Sequence, residues 1–448
     1  MLINFKVANF LSIFEEQELS LYPNGRLRKK NNHIYKTEKK KHTDVLKSSV
    51  LYGANSSGKT NLIKAILFAK DFIVNGSKSK KLINITNFKL LKNNTNPSKF
   101  QFEIYINNNC YEYGFEIKDN VIKSEWLKSV TKYSENYYFI RNFINGKNNI
   151  EYKNKINNDD MKLVRKSCML EVRDNQLLLT VLNDKNPNTI EKHYREVYRW
   201  FDKILMVITP QSKFHGIQIE IKKDEKLYAF FNQYLNILDT GIDKLAFHKY
   251  KLDDSKLNIP AFIKNDIKNK LQEKTEIVAI SNNNNEYYCI YLNESGEYIA
   301  GKLKAKHKRI DSKSFVELDF NEESAGTHRI FELLPILYTA INTEKVILVD
   351  ELGRSFNSLV SAKFFELFFE MTENKPSQLI ATTHDLILLD LNKFRRDEIW
   401  FIKKDIKNQS ILYSLEEFLT RFDKKLRKAY LEGRYGAIPI LDNISGGQ

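Results

Sequence analysis

Gly53-Ala54-Asn55-Ser56-Ser57-Gly58-Lys59-Thr60 fits the pattern GxxxxGK[ST] in full, and it constrains this 448-residue chain more than any other feature. The pattern works only between a strand and a helix. Ser49–Tyr52 reads as the strand and Asn61–Ala69 as an amphipathic helix. Glycines let the loop wrap a phosphate with backbone N–H groups, and the helix N-terminus adds the positive end of its dipole. Gly53, Asn55, Ser56, Ser57, Gly58, Lys59, Thr60 and Asn61 are therefore the candidate ATP-binding residues. Lys59 is expected to reach the β- and γ-phosphates and the Thr60 hydroxyl to ligate Mg²⁺.

A phosphate loop alone hydrolyses nothing. It needs an acidic residue on a neighbouring strand for the metal and a group that orients water. Residues 346–351, VILVDE, supply both. Four apolar residues predict a buried parallel strand with Asp350 at its C-terminal end, where ligands sit in such sheets. Glu351 follows as candidate base or positioner of water. Asp350 joins Thr60 as a candidate metal ligand.

Composition bounds the rest. Hydrophobic residues make up 42% and aromatic residues 12% of the chain, enough for a core and against global disorder. The 71 Lys and Arg against 56 Asp and Glu leave a formal charge of +15, which favours an anionic partner without choosing one. The excess gathers at 26–41, Lys78–Lys81, Lys302–Arg309 and Arg421–Lys428, candidate surfaces for DNA, RNA or an acidic protein. Cys110, Cys168 and Cys289 are too widely spaced for a zinc site or a disulfide framework. No run of 18 apolar residues appears and the N-terminus alternates polar with apolar, so the expectation is a cytoplasmic protein without a membrane span.

Along the chain, residues 2–22 alternate like strands, and 99–117 alternate on both sides of Asn107–Asn109, predicting a hairpin. A further β stretch is expected from Val121 to Phe143, with turns at Asn136 and at Asn145–Gly146. Helical periods dominate from 159 to 275, and strands return at 276–299. Residues 326–402 read as helix, strand, helix, strand, helix, strand. The expected fold is α/β, a P-loop ATPase head with a mixed sheet, an antiparallel β subdomain and a helical insertion. Its parts are 1–158 (first half of the head), 159–300 (mainly helical insertion) and 301–448 (second half).

Two more tracts carry a resemblance. QLIATTH (378–384) is a strand ending in His384, and Asn-Glu-Glu-Ser-Ala-Gly-Thr (321–327) precedes a helix, HRIFELLPILYTAI. With FKVANFLSI at the start, the chain resembles the ABC-type ATPases, in the branch of SMC, RecF-like and overcoming-lysogenization-defect proteins. That resemblance implies a homodimer in which Ser324 and Gly326 of one subunit close over the γ-phosphate held by the other. It implies that His384 is the switch histidine that touches that phosphate. ESAGT departs from the usual LSGGQ. Ser445-Gly446-Gly447-Gln448 looks closer to it, but no helix follows, and it reads as a coincidental tail. Gln101 stands where a Q-loop glutamine could, and it also fits as an outward residue of a strand. Arg354 lies where the family's D-loop crosses the dimer interface.

LRKAYLEGRYGAIPIL (426–441) and VDELGRSFNSLVSAKF resemble AAA-type ATPases of bacterial anti-phage and abortive-infection systems, the AbiL/RloA group and the AriA subunit of PARIS. The resemblance implies a sensor or scaffold that acts beside a separately encoded effector nuclease, often TOPRIM-type, and answers a phage trigger protein. The stretch after His384 is too short for a fused TOPRIM domain, so no nuclease in cis is expected. A DNA-clamping ATPase of the RecF kind is the competing expectation.

Overall fold

A computed structural model of the chain describes residues 1–27, 30–39, 42–77, 82–156, 158–186, 188–212, 217–257, 259–272, 277–281, 287–418 and 426–438. Basic residues Lys78–Lys81, 28–29, 40–41 and 421–425, and the tail Ser445–Gln448, lie outside them. The chain divides into two units. One comprises Met1–Pro210, Thr343–Leu352 and Phe368–Gln448, and the other Gln211–Asn342 and Gly353–Leu367.

The first unit holds a six-stranded sheet in the order Leu205–Ile208, Val346–Val349, Gln378–Thr382, Ser48–Tyr52, Ile399–Lys404, Ser410–Ser414. Five strands are parallel and the last is antiparallel, so the sheet is mixed. Val346–Val349, Gln378–Thr382 and Ser48–Tyr52 are buried at every position, which explains why they read as continuous apolar or small-residue runs and not as alternating ones. Helix Lys59–Asn75 buries Leu62, Ile63, Ile66, Ala69 and Ile73, a stripe at helical spacing.

A seven-stranded antiparallel sheet completes this unit. Its order is Lys147–Tyr152, Glu135–Ile144, Val121–Val130, Asn109–Lys118, Ser98–Ile106, Leu2–Ala8, Gln17–Ser20. Asn107 and Asn108 both have positive φ (47° and 61°), as a two-residue hairpin turn of the primed type requires. Asn145 and Gly146 make another reversal with φ of 51° and 75°. The turn expected at Asn136 is absent. Asn136 pairs with Ser129 inside a strand, and the chain reverses at 131–134, where the Thr131 hydroxyl accepts the Ser134 N–H at 3.0 Å. A side-chain hydroxyl closing a turn is a weaker sequence signal than an Asn, and it wins here because register is set by the buried face.

Inside this sheet Glu125 and Arg141 are both fully buried and 3.2 Å apart. Glu125 also accepts the N–H groups of Leu178 and Leu179, at the start of helix Leu178–Asn183, and the Tyr113 hydroxyl. Arg141 donates to the carbonyls of Gln176 and Arg173. The pair thus ties the helix to the sheet through backbone groups that would otherwise be orphaned.

The second unit has a five-stranded antiparallel sheet. Lys244–Lys251, Tyr298–Lys308, Tyr287–Leu292 and Ile277–Ser281 run in that order, and Phe315–Asp319 pairs with Tyr298–Lys308. Helices Glu225–Ile237, Ala261–Gln272 and Ala325–Asn342 belong to it. Three lysines of the 302–309 cluster already hold carboxylates: Lys302 and Lys304 meet Asp319, and Lys306 meets Glu317. Asp319 and Glu317 thus offset part of that cluster's charge.

The helical stretch is interrupted by strands, and one expected helix is not there. The stretch from 159 to 275 contains strands at Leu205–Ile208 and Lys244–Lys251, each directly after a helical segment or its turn, where β-branched and aromatic residues end the helical period. Between His384 and strand Ile399–Lys404 the chain forms turns and a single 3₁₀ turn at Arg396–Glu398. There the side chains of Thr383, Asp385 and Asp390 each accept the backbone N–H two residues on, which competes with helix formation. Among the described residues no helix is long and apolar enough to cross a membrane.

Candidate functional site

The P-loop leaves the C-terminal end of strand Ser48–Tyr52, beside the ends of Gln378–Thr382 and Ile399–Lys404. Two of its glycines are there for space. A Cβ on Gly53 would lie 2.4 Å from the Ile402 carbonyl oxygen, and one on Gly58 would lie 2.1 Å from Ser410 Oγ. Gly58 also has φ 114° and caps helix Lys59–Asn75, a conformation costly to any residue with a side chain. The loop rests on two serines. Ser410 Oγ donates to the Ser57 carbonyl (2.6 Å) and lies 2.7 Å from Ser12 Oγ, while Asn61 Nδ2 donates to Ser12 Oγ (2.7 Å). The Asn61 side chain is thus engaged beneath the loop.

Lys59 is buried, and its ammonium donates to the carbonyls of Gly53 (2.7 Å) and Ala54 (3.0 Å), folding back on its own loop. Burial lowers its pKa to about 8, against the pull of Asp350 and Glu351. A dianionic phosphate would reverse that balance by compensating the buried charge. The Ser57 hydroxyl is buried with no hydrogen-bond partner among the described residues, a donor left open within the loop.

Asp350 ends strand Val346–Val349 and is 1% exposed. Thr382 Oγ1, on the neighbouring strand, donates to its Oδ1 at 2.6 Å, and the Asp350 N–H donates to the Ile208 carbonyl at 2.8 Å. Among the described residues no ion pair compensates this carboxylate, since Lys59 is turned to the loop carbonyls. A buried carboxylate in that state, with the Thr60 hydroxyl in the first turn of the P-loop helix, fits a hard divalent cation such as Mg²⁺. Glu351 is half-buried with φ 54°, a left-handed conformation that costs about 1–2 kcal/mol for an ordinary residue. Its N–H donates to Thr382 Oγ1 at 2.8 Å, and the Leu352 N–H donates to the Thr382 carbonyl at 3.0 Å.

His384 follows two residues after Thr382 and is exposed. Partial burial and the Lys59 charge hold its imidazole below its ordinary pKa, while Glu351 and Asp350 oppose them. Lys59, Asp350, Glu351 and His384 therefore share one electrostatic neighbourhood, with a largely neutral imidazole at pH 7 able to donate one hydrogen bond.

Ser324 and Gly326 stand in the second unit. Ser324 Oγ accepts the Thr327 N–H at 3.1 Å at the start of helix Ala325–Asn342. A Cβ on Gly326 would lie 2.8 Å from the Ser355 carbonyl oxygen, so this tract and the 353–356 segment pack too closely for any side chain there. Arg354 is exposed in that segment. Gln101 is mid-strand in Ser98–Ile106, paired with Lys6 and Gly114, on the half-buried face. Sequence reasoning missed Thr382, Ser12 and Ser410. The first two lie within the tracts QLIATTH and ANFLSI, which were read for other residues. Ser410 sits in an unremarkable strand and had no signal.

Fold and loop geometry define an α/β protein with a P-loop at the carboxyl end of the parallel strands of a mixed sheet. The family described as "AAA domain, putative AbiEii toxin, Type IV TA system" matches residues 48–153 and 215–390, more than half of the chain, and the chain belongs to that family. None of the curated proteins matches it. Among solved structures it is similar to the SMC head domain from Thermotoga maritima, at 10% identity over 92% of this chain and 98% of that one, with a TM-score of 0.40. A second is an SMC head bound to the C-terminal winged-helix domain of ScpA, at 12% identity over 92% and 97% of the chains and a TM-score of 0.37. A third is the Smc head with an extended coiled coil bound to the C-terminal domain of ScpA from Pyrococcus furiosus, at 13% identity over 97% and 99%, also with a TM-score of 0.37.

Proposed function

We propose that this AAA-family chain is the ATP-binding and hydrolysing sensor or scaffold subunit of a bacterial anti-phage, abortive-infection system, controlling a separately encoded nuclease effector of TOPRIM type. The observation that carries the ATPase part is the convergence of Lys59, Asp350, Glu351 and His384 at the end of one sheet, with an open Ser57 hydroxyl in the loop. The defence part rests on the family, whose description names an AbiEii toxin and a type IV toxin–antitoxin system.

In this reading the backbone N–H groups of 53–61 and the Lys59 ammonium bind the phosphates. Thr60 and Asp350 hold Mg²⁺, which offsets the charge that develops on the phosphates. Glu351 orients and deprotonates the attacking water, and His384 donates a hydrogen bond to the γ-phosphate. The site is completed in a dimer, where Ser324 and Gly326 of the second copy cap that phosphate. Binding closes the dimer and hydrolysis opens it, and the effector is restrained or released accordingly.

The test is phosphate release and nucleotide binding by the purified chain. Glu351→Gln should bind ATP, stop turnover and accumulate a dimer. Ser324→Arg should bind ATP yet fail to dimerise. Normal turnover in Glu351→Gln would refute the catalytic assignment. Co-purification with the product of an adjacent nuclease gene supports effector control. Salt-dependent binding to duplex DNA without any such partner would instead favour a RecF-like clamp.

A further inference from the structure

Thr382 is fully buried and makes three contacts with the turn that follows strand Val346–Val349. Its hydroxyl donates to Asp350 Oδ1 (2.6 Å) and accepts the Glu351 N–H (2.8 Å), while its carbonyl accepts the Leu352 N–H (3.0 Å). A hydroxyl has one proton and two lone pairs, so a single oxygen can do both jobs at once. The parallel register makes this possible. Val349 is paired with Ala381, which places residue 382 beside residue 350. Threonine is β-branched and stiff at χ1 in a strand, so its oxygen has few other places to point.

We infer that Thr382 is a positioning residue: it sets the rotamer of Asp350 for the metal and holds Glu351 in its left-handed conformation, so that carboxylate for metal and carboxylate for water are aimed by one side chain on the next strand. The inference rests on the ATP–Mg²⁺ reading above. It accounts for how a non-glycine residue persists at φ 54° beside the phosphate loop. With the hydroxyl gone, Asp350 loses its donor and Glu351 its acceptor. The Asp350 rotamer and the Glu351 backbone then lose that support, while the phosphate loop, which Thr382 does not touch through any of these bonds, is left as it was.

Thr382→Val removes the hydroxyl at nearly constant volume, and Thr382→Ser restores it without the methyl. Nucleotide affinity is measured with a fluorescent ATP analogue in Mg²⁺ and in EDTA, alongside turnover and thermal unfolding. Thr382→Val should lose on the order of 10–100-fold in the Mg²⁺-dependent part of affinity and in turnover, the usual effect of removing a partner that orients a metal ligand. Its affinity in EDTA should stay within about threefold, by the argument that the phosphate loop is untouched. Thr382→Ser should recover both properties to within about threefold. Thr382→Ala replaces valine if valine impairs folding. A valine or alanine variant that keeps the Mg²⁺ gain and the turnover overturns the inference alone. So does a serine variant as poor as valine, which would mean that the methyl and not the oxygen matters. A wild-type chain with no Mg²⁺ gain and no turnover overturns the ATP–Mg²⁺ reading and the inference with it.

Discussion

Replacing Gly58 by alanine should injure the phosphate loop in two separable ways. The backbone there has φ 114° and ψ 9°, which alanine adopts at a cost of about 2 kcal/mol. The new methyl would also lie 2.1 Å from Ser410 Oγ, 2.8 Å from Ser410 Cβ and 3.0 Å from Ser12 Oγ. Ser410 cannot give way cheaply, because its hydroxyl is bonded to the Ser57 carbonyl and to Ser12, about 1 kcal/mol for each bond. The expected loss for Gly58→Ala is therefore about 4 kcal/mol. Ser410→Gly alone should cost about 3 kcal/mol, two hydrogen bonds plus the entropy of a strand glycine. It also deletes the colliding atoms, so the double variant should be only about as unstable as Ser410→Gly plus the backbone term, roughly 5 kcal/mol where simple addition gives roughly 7 kcal/mol. Urea unfolding read by tryptophan fluorescence isolates the relevant unit, since Trp126, Trp200 and Trp400 all belong to it. A Gly58→Ala chain within about 1 kcal/mol of wild type, or strict additivity in the cycle, would refute the reasoning.

Three further outcomes are expected. Lys59→Ala should weaken nucleotide binding at least roughly tenfold, since the charge that faces the phosphates is lost, and titration with a fluorescent ATP analogue checks it. Glu125→Ala leaves Arg141 buried without its carboxylate and three further donors unmatched, and should cost about 3–5 kcal/mol in the same urea transition, where a loss under about 1 kcal/mol would mean that Arg141 finds solvent. His193, stacked on Tyr138 at 3.7 Å, is pushed by burial, with Arg165 adding, down to about 3. The unfolded chain takes up that proton near pH 6.5 and the folded one does not, so stability holds above pH 6.5 and falls with decreasing pH toward 3, by up to about 1.4 kcal/mol per pH unit. His193→Phe keeps the stack and should flatten the slope between pH 7 and 5; an unchanged slope would place the acid sensitivity elsewhere.

Strands Ser48–Tyr52 and Val346–Val349 were legible because each is a short run rich in apolar residues that ends at glycine or acid, and the phosphate loop because its glycines, lysine and threonine stand at fixed spacing. The hairpin at Asn107–Asn108 was legible for a local reason, two residues that tolerate positive φ. What failed was decided by competition between side chain and backbone. Thr383, Asp385 and Asp390 dissolve a helix that hydrophobic spacing alone predicts, and Thr131 with Ser134 outbids Asn136 for a turn. Thr382 and Ser410 were invisible because their roles depend on which strands become neighbours. Only the sheet order, with Ser48–Tyr52 lying between Gln378–Thr382 and Ile399–Lys404, brings them to the loop.

That same order has a consequence for synthesis on the ribosome. The phosphate loop leaves the exit tunnel early, but both strands that flank its own, and the serine beneath it, belong to the last quarter of the chain. At roughly 5–20 residues per second the loop waits on the order of tens of seconds for Gln378–Thr382 and Ile399–Lys404. During that interval strand Ser48–Tyr52 has neither of its sheet neighbours and the helix Lys59–Asn75 has only part of its platform. A nascent or prematurely terminated chain thus carries the full nucleotide motif and lacks the surface that shapes it. Truncation anywhere before residue 400 should yield a polypeptide unable to hold the loop in place, so that an incomplete copy stays inert.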